Sequence, residues 1–217
     1  LGVFGLITKA VATSGFTLFS AVGHYMLTIA GGLTIHLLVV LPLLFYFLTG
    51  INPKQHFSAM VSALATAFST SSSNATLPVT MRCVEENAGV SNKVSSFVLP
   101  MGATVNMDGT ALYECAGVLF IGQVLGVELS MAHQFTIVIT ALLASIGAAG
   151  IPSAGLVMIF IVTQAVGFQD ADVALIIGTM LAVDRPLDMM RTMVNIFSDS
   201  VGTTIIAHSE GEKLYKH

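Results

Sequence analysis

The chain has 217 residues, of which 54% are hydrophobic and 9% are charged, and its formal net charge is -4. Soluble proteins carry about 25% charged residues, and the mean hydropathy of +0.86 is too high for a surface that water covers. These values exclude a disordered chain, a basic nucleic-acid-binding domain and an ordinary soluble domain.

Charged residues are missing from two long stretches of the chain. No Asp, Glu, Lys or Arg lies between Lys9 and Lys54, or between Glu128 and Asp170. A bilayer core of ~30 Å requires roughly 20 apolar residues in a helix, so each stretch has room for two membrane crossings or for a helical hairpin. We therefore predict an all-α integral membrane protein that contacts the lipid bilayer.

The first three segments differ in how they would meet the membrane. Residues 1–50 predict the end of one membrane helix and then a full span. Residues 51–92 contain two half-length apolar helices that meet at a Ser-rich tip, which is typical of a re-entrant hairpin lining a cavity, although a Ser-rich surface linker is the alternative. Residues 93–128 predict a membrane helix that is interrupted within residues 102–110, where Asn, Asp and two glycines unwind it.

The half-length pattern returns in the second half of the chain. Residues 129–169 predict a second re-entrant hairpin, with a tip of small residues at 147–155. Residues 170–208 predict a long final helix, and residues 209–217 form a polar tail. Interrupted segments at corresponding positions of two halves are typical of transporters that bind their substrate near the membrane midplane.

The final helix carries a stripe of polar and charged side chains on one face, because they follow one another at steps of three or four residues. The stripe comprises Asp184, Asp188, Arg191, Asn195 and Asp199. A charge that faces lipid at mid-membrane costs ~2.5–3.5 kcal/mol, so we expect the stripe to face protein or water with its charges paired. An Arg fork beside an Asp suits the carboxylate and the ammonium of an amino acid. A structural ion-pair stripe is the alternative.

The sequence lacks the common motifs of enzymes. It has no G-x-S-x-G nucleophile elbow, no H-E-x-x-H zinc motif and no Gly-rich phosphate loop with a Lys. We therefore predict that the chain is not an enzyme. A passive channel is the weaker alternative to a transporter. An Arg and an Asp side by side, which bind an anionic and a cationic group, imply that a solute is bound rather than allowed to flow through.

Four motifs in a fixed order carry a family resemblance. They are SSSNATLP at residues 71–78, NMDGT at 106–110, GAAGIP at 147–152, and RTMVN at 191–195 between Asp188 and Asp199. With these motifs, over residues 1–207, the chain resembles the dicarboxylate/amino acid:cation symporters, which include the archaeal aspartate transporters and the eukaryotic excitatory and neutral amino acid transporters. The resemblance implies an elevator-type transporter of the plasma membrane, usually a homotrimer, of which this chain is the C-terminal transport half.

The resemblance also implies where the substrate binds. Arg191 would hold the side-chain carboxylate of L-aspartate or L-glutamate, and Asp188 would hold the amino group. The remaining implied residues surround the substrate or close over it: Ser72, Ser73, Thr110, Ile151, Gly155, Thr192 and Asn195. A C4-dicarboxylate and a neutral amino acid remain alternative substrates of the same fold.

Co-transported Na⁺ is the second ligand that the resemblance implies. One site would combine Asp199 with carbonyl groups of Gly102, Asn106 and Asn195. Another would combine Thr104 with carbonyl groups of Ser145, Ile146 and Ala148. Asn106 and Asp108 would contribute to a third site, together with an earlier helix that this chain does not contain.

The chain departs from the family pattern at one charge. Archaeal members carry an Arg where this chain has Ser71, and excitatory transporters carry it where this chain has Met189. Our hypothesis is that Arg185, one turn before Met189, supplies this charge. Glu114 stands where the excitatory transporters have a glutamate implicated in proton coupling, so either coupling to H⁺ or a carboxylate simply paired inside the bundle is expected there.

Overall fold

The computed structural model describes residues 17–148 and 150–215, and every regular element in this part of the chain is helical. In chain order the α-helices are α1 (Thr17–Ile35), α2 (Leu41–Thr49), α3 (Pro53–Thr70), α4 (Ser73–Arg82), α5 (Asn92–Val105), α6 (Asp108–Val124), α7 (Met131–Gly147), α8 (Ala154–Ala165) and α9 (Asp170–Ser209). The predicted all-α class is confirmed. The end of a membrane helix predicted for residues 1–16 lies outside the described residues.

Helices α1 and α2 form one continuous rod through the π-helical turn His36–Val40. Within the described residues, Val22–Thr49 is the one helix whose length and hydropathy alone suffice to cross a membrane. Its apolar side chains are largely exposed, including Leu27 at 72% and Phe47 at 76%. An apolar face of this size does not remain in water, so lipid or another protein segment must cover it.

The first hairpin consists of α3 and α4, joined at a two-residue tip. Ser71 at this tip has the left-handed φ of +51°, and its N–H donates to the Ala67 carbonyl to close α3. The side chain of Ser72 accepts a hydrogen bond from Ala75 N–H and so caps the start of α4. The polar residues at this position therefore terminate one helix and begin the next, which a surface linker does not require.

The second hairpin consists of α7 and α8, and its tip touches the first hairpin. Ser72 Oγ donates to the Gly150 carbonyl at 2.6 Å, and the Asn74 N–H approaches the same carbonyl at 3.4 Å. Ser153, which precedes α8, has the left-handed φ of +59°. The two polar tips thus meet inside the molecule.

The interruption between α5 and α6 is shorter than expected. The sequence predicts a break within residues 102–110, but only Asn106 and Met107 leave the helical conformation. Gly102 stays helical because its carbonyl accepts the Asn106 N–H at 2.9 Å. The break is therefore limited to two residues whose backbone is not helical.

Helix α9 runs through the middle of the molecule and contacts α3, α5, α6 and α8. Pro186 lies within it without ending it. Most of the polar stripe is buried there, with Asp188 at 0% and Arg191 at 3% exposure. The predicted pairing of these charges is only partly correct, since Asp184 and Asp199 have uncharged hydrogen-bond partners, Tyr113, Ser153 and Asn106.

The tail after α9 is docked on one end of the bundle. The Glu212 carboxylate accepts from Ser91 N–H at 2.8 Å and from Ser91 Oγ at 2.5 Å. The Tyr215 hydroxyl lies 2.6 Å from His56 Nδ1. The polar tail predicted for residues 209–217 therefore holds α5 and the first hairpin together, as far as residue 215.

Candidate functional site

A small cavity of about 10 Å³, room for about one water molecule, lies where the two hairpin tips, the break between α5 and α6, and the middle of α9 converge. Its lining residues are Ser71, Ser73, Met107, Thr110, Ala148, Gly150, Ile151, Ala154, Arg191, Thr192 and Asn195. Six of the residues expected to bind substrate are among them: Ser73, Thr110, Ile151, Arg191, Thr192 and Asn195. The sequence motifs thus converge on a single cavity.

Arg191 is the one cationic side chain among the lining residues of this cavity. Its Nη2 donates to Asp188 Oδ1, and its guanidinium lies 5.1 Å from the centre of the Tyr113 ring. Its Nε and Nη1 are buried and find no hydrogen-bond partner in the described part of the chain. Buried guanidinium donors without acceptors are costly, so this side chain is prepared to receive an anion.

Asp188 has both carboxylate oxygens engaged. Arg191 occupies Oδ1, and the backbone N–H of Ser153 at the second hairpin tip donates to Oδ2 at 3.0 Å. Arg185 Nη1 stands 3.9 Å from the same Oδ2, but Arg185 is 55% exposed and outside the cavity lining. The structure thus brings Arg185 near the site without placing it among the buried groups.

Thr110 and Asn195 bind α6 to α9. Asn195 Nδ2 donates to Thr110 Oγ1 at 3.0 Å, and Asn195 Oδ1 accepts the Gly109 N–H at 2.9 Å. A Cβ at Gly109 would lie 2.9 Å from the Arg191 carbonyl oxygen, so only glycine allows this approach. The side chains expected to contact substrate are therefore held by contacts within the protein.

The resemblance implies a role for the backbone at Ser72 and Ser73, and the Ser72 side chain has its own partners, since its hydroxyl donates to the Gly150 carbonyl and accepts the Ala75 N–H. Gly155 packs directly against Arg191. Tyr113 at the site was not predicted from sequence, whereas Ser153 was predicted only as part of the hairpin tip at residues 147–155. Tyr113 follows Thr110 by one helical turn, so the helical period could have identified it.

Asp199 is the best placed carboxylate for a cation. It is 5% exposed, and its Oδ1 accepts from Asn106 Nδ2 at 2.9 Å. Gly102 lies so close that a Cβ there would be 2.6 Å from Asp199 Oδ1. Three of the four residues of the first expected Na⁺ site, Gly102, Asn106 and Asp199, are therefore adjacent.

The other residues expected to bind Na⁺ are less clearly assembled. Thr104 is exposed and donates to the Met101 carbonyl at 2.8 Å, whereas Ser145 is buried and donates to Leu142. On the second hairpin Ile146 is exposed and Ala148 is buried. Asp108 lies 2.6 Å from His36 Nε2, so its carboxylate already has a partner.

Metal ligands of the transition-metal type are not grouped anywhere in the described residues, where no three His, Cys, Asp or Glu side chains could hold one ion. A buried carboxylate such as Asp199 is an oxygen ligand, which suits a hard cation better than a soft transition metal.

Glu114 is fully buried on α6. Both of its carboxylate oxygens lack a hydrogen-bond partner in residues 17–148 and 150–215. A carboxylate paired within the bundle, which was one of the two expectations, is therefore not what this part of the chain contains.

Comparison with known proteins matches the chain to one family. The sequence model of the sodium:dicarboxylate symporter family covers residues 1–209. Excitatory amino acid transporter 3 of Mus musculus is 49% identical over 217 residues, which is 100% of this chain and 40% of the relative. Excitatory amino acid transporter 1 of Homo sapiens is 50% identical over 190 residues, 88% of this chain and 34% of the relative. The Caenorhabditis elegans excitatory amino acid transporter is 49% identical over 193 residues, 89% of this chain and 38% of the relative. The chain thus spans about 40% of the length of the relatives that it matches over its whole length.

Proposed function

Because the chain belongs to the sodium:dicarboxylate symporter family, we propose that it is the substrate-binding part of a Na⁺-coupled symporter for aspartate and glutamate. The protein is a multi-pass protein of the plasma membrane, and it is a transporter rather than an enzyme. The rest of the length found in the relatives would supply the remaining membrane helices.

The observation that carries this proposal is the state of Arg191. Two of its guanidinium nitrogens are buried beside a cavity without any acceptor in the described residues, while the third donates to Asp188. A substrate carboxylate supplies two coplanar oxygens for such donors. An acidic side chain is therefore the substrate group that this cavity satisfies best.

The remaining contacts follow from the charges of an amino acid. Asp188 accepts from the substrate ammonium, and the hydroxyl and amide groups of Thr192, Asn195 and Thr110 orient the substrate from α9 and α6. Backbone at Ser72 and Ser73 closes one side, and the second hairpin from Ile151 to Gly155 covers the other. The second hairpin is then the lid of the site.

Na⁺ drives uptake by binding next to this lid. We assign one ion to Asp199 with Gly102, Asn106 and Asn195, and another to Thr104 with Ser145, Ile146 and Ala148. Asn106 and Asp108 contribute to a third. One positive charge crossing 100 mV yields ~2.3 kcal/mol, so each additional Na⁺ steepens accumulation. Ions and substrate that favour the same closed lid bind cooperatively.

The two hairpins enter the membrane without crossing it, in this proposal, and carry the substrate as part of a moving body in a homotrimer, the elevator arrangement. Its support is the contact between the two polar tips through Ser72 and Gly150, since polar backbone at membrane depth must line a cavity or protein. Arg185 supplies the positive charge that Ser71 and Met189 lack, at 3.9 Å from Asp188. Glu114, buried and without a hydrogen-bond partner in the described part of the chain, accepts a co-transported proton.

Two other substrates of the same fold have weaker support. A C4-dicarboxylate has no ammonium group for the buried carboxylate of Asp188. A neutral amino acid such as serine has an α-carboxylate but no side-chain carboxylate for the free donors of Arg191. A purely structural protein or a channel would explain neither the buried carboxylate of Asp188 nor the donors of Arg191 that lack an acceptor.

The test is binding of L-aspartate, L-glutamate, succinate and L-serine to the purified full-length protein, with Na⁺ and with choline in its place. Aspartate or glutamate should bind most tightly and only with Na⁺. Preference for succinate or serine would contradict the proposed substrate, and equal binding in choline would contradict the coupling ion.

A further inference from the structure

Asp184 is a buried carboxylate for which the proposed substrate site has no use. It is 3% exposed and lies one turn before Asp188 on α9. Tyr113 donates its hydroxyl to Oδ1 at 2.8 Å, and Ser153 donates its hydroxyl to Oδ2 at 2.8 Å. Among the described residues no Lys, Arg or His forms an ion pair with it. Its partners are thus one residue of α6 and one residue of the lid.

Ser153 stands at the point where the lid turns into α8. Its φ of +59° is uncommon for a residue other than glycine, so neighbouring contacts must hold it. Two hydrogen bonds do so, from the side chain to Asp184 and from the backbone N–H to Asp188. Both run from the tip of the lid to α9.

The backbone bond of Ser153 occupies the position that the substrate ammonium requires. Asp188 Oδ1 is engaged by Arg191, and Oδ2 is engaged by Ser153 N–H. The lid therefore satisfies the carboxylate that an amino acid would otherwise bind. An arriving ammonium group must take over Oδ2, whereas the bond between Ser153 Oγ and Asp184 can persist.

We propose that Ser153 is a positioning residue that latches the lid onto Asp184 and Asp188, and that Tyr113 orients Asp184 to receive it. This inference rests on the function proposed above. The latch holds the lid closed before substrate binds, and amino acid binding exchanges its Asp188 contact while its Asp184 contact keeps the loaded lid shut.

The latch has an effect that can be measured without transport. A ligand that fits only under an open lid binds the open population, and its apparent affinity falls when most molecules are closed. A hydrogen bond to a charged group is strong enough that its loss should raise the open population, and with it the affinity of such a ligand, by about tenfold.

The probe is an aspartate that carries a benzyl ether on its β-carbon, which adds a ring that the closed site, a cavity of about 10 Å³, cannot hold. Its dissociation constant is measured in Na⁺ with full-length protein carrying Ser153→Ala, Ser153→Gly or Asp184→Asn. Ser153→Gly removes the hydroxyl and also favours the left-handed backbone, which guards against misfolding. The matched control is Thr136→Val on α7 of the same hairpin, whose hydroxyl bonds only to the Ala132 carbonyl.

We expect the probe to bind both Ser153 variants about tenfold more tightly than wild type and to bind Thr136→Val unchanged. Asp184→Asn should act in the same direction, and the double variant with Ser153→Ala should add little, because both changes remove one bond. Equal probe affinity in wild type and both Ser153 variants, with L-aspartate binding intact in wild type, would overturn the latch alone. Failure of wild type to bind L-aspartate in Na⁺ would instead overturn the proposed function.

Discussion

Gly155 of the second hairpin lies directly against the guanidinium of Arg191. A Cβ at position 155 would overlap Arg191 Nη1, and it would also lie 3.1 Å from the ring of Tyr113. Nη1 is one of the buried donors without a partner in the described residues. The backbone of the lid therefore closes onto the group that is proposed to receive the substrate carboxylate.

This close approach predicts that Gly155→Ala impairs substrate binding. The added methyl group must push the lid or the guanidinium away, so we expect affinity for aspartate to fall at least tenfold in a binding assay with full-length protein. Gly202→Ala on α9 is the matched control, because a Cβ there meets nothing within 4 Å and it should bind as wild type does. Equal affinity in both variants would show that the lid does not close on Arg191.

Asp188→Asn should change which ligands are bound. The substitution keeps the shape of the side chain but removes the charge that balances both Arg191 and a substrate ammonium. Losing one charge-assisted hydrogen bond predicts about a 30-fold loss of aspartate affinity. Succinate has no ammonium and should lose less, so the ratio of the two dissociation constants is the measurement. A parallel loss for both ligands would assign Asp188 to structure alone.

The sequence predicted the helices and the polar stripe because both depend on local pattern. Charge-free stretches and helical spacing place Asp188, Arg191 and Asn195 on one face, whatever the rest of the chain does. The family resemblance added two further predictions: the order of the two hairpins along the chain, and the role of each of the four motifs. Together the pattern and the resemblance predicted that Arg191 and Thr110 line one site, and both residues line the same cavity.

Contacts between distant segments could not be predicted in this way. His56 hydrogen-bonds with Tyr215, 159 residues later, and with Ser200 on α9. Nothing in the local sequence of either residue indicates the other, since the contact depends on how the helices pack. The bond between Ser153 and Asp184 is of the same kind, and a polar residue at a hairpin tip could equally have faced water.

Arg185→Ala tests whether this side chain supplies the missing family charge. Arg185 is 55% exposed and 3.9 Å from Asp188, so solvent screens the interaction, and we expect only a two- to fivefold loss of aspartate affinity, about what an exposed pair contributes. The loss should shrink as the salt concentration rises. Arg82→Ala, an exposed Arg at the end of α4, is the control and should leave affinity unchanged. Unchanged affinity in Arg185→Ala would remove the hypothesis.

Glu212→Gln tests the docked tail. The Glu212 carboxylate accepts two hydrogen bonds from Ser91, which precedes α5 and makes no side-chain cap of its own. A carboxylate at a helix N-terminus typically contributes about 1 kcal/mol, so the apparent melting temperature in detergent should fall by about 2–4 °C. Glu210→Gln, at an exposed position two residues earlier, should melt as wild type does. Equal melting of the two variants would show that the tail does not stabilise the bundle.

Asp199→Asn tests the expected cation site formed with Gly102 and Asn106. The amide keeps one oxygen for the bond from Asn106 and fits the space beside Gly102, so the fold should survive, but the buried negative charge is lost. A hard cation held by one carboxylate then loses its main attraction, and the Na⁺ concentration for half-maximal aspartate binding should rise at least tenfold. The titration uses choline chloride to keep ionic strength constant.

Asp172→Asn is the matched control. Asp172 is exposed in the first turn of α9, so the substitution removes the same charge away from the site and should leave the Na⁺ dependence unchanged. If Asp199→Asn also leaves the Na⁺ dependence unchanged, the co-transported ion binds elsewhere. A buried carboxylate that ligates Na⁺ cannot lose its charge without a loss of affinity for the ion.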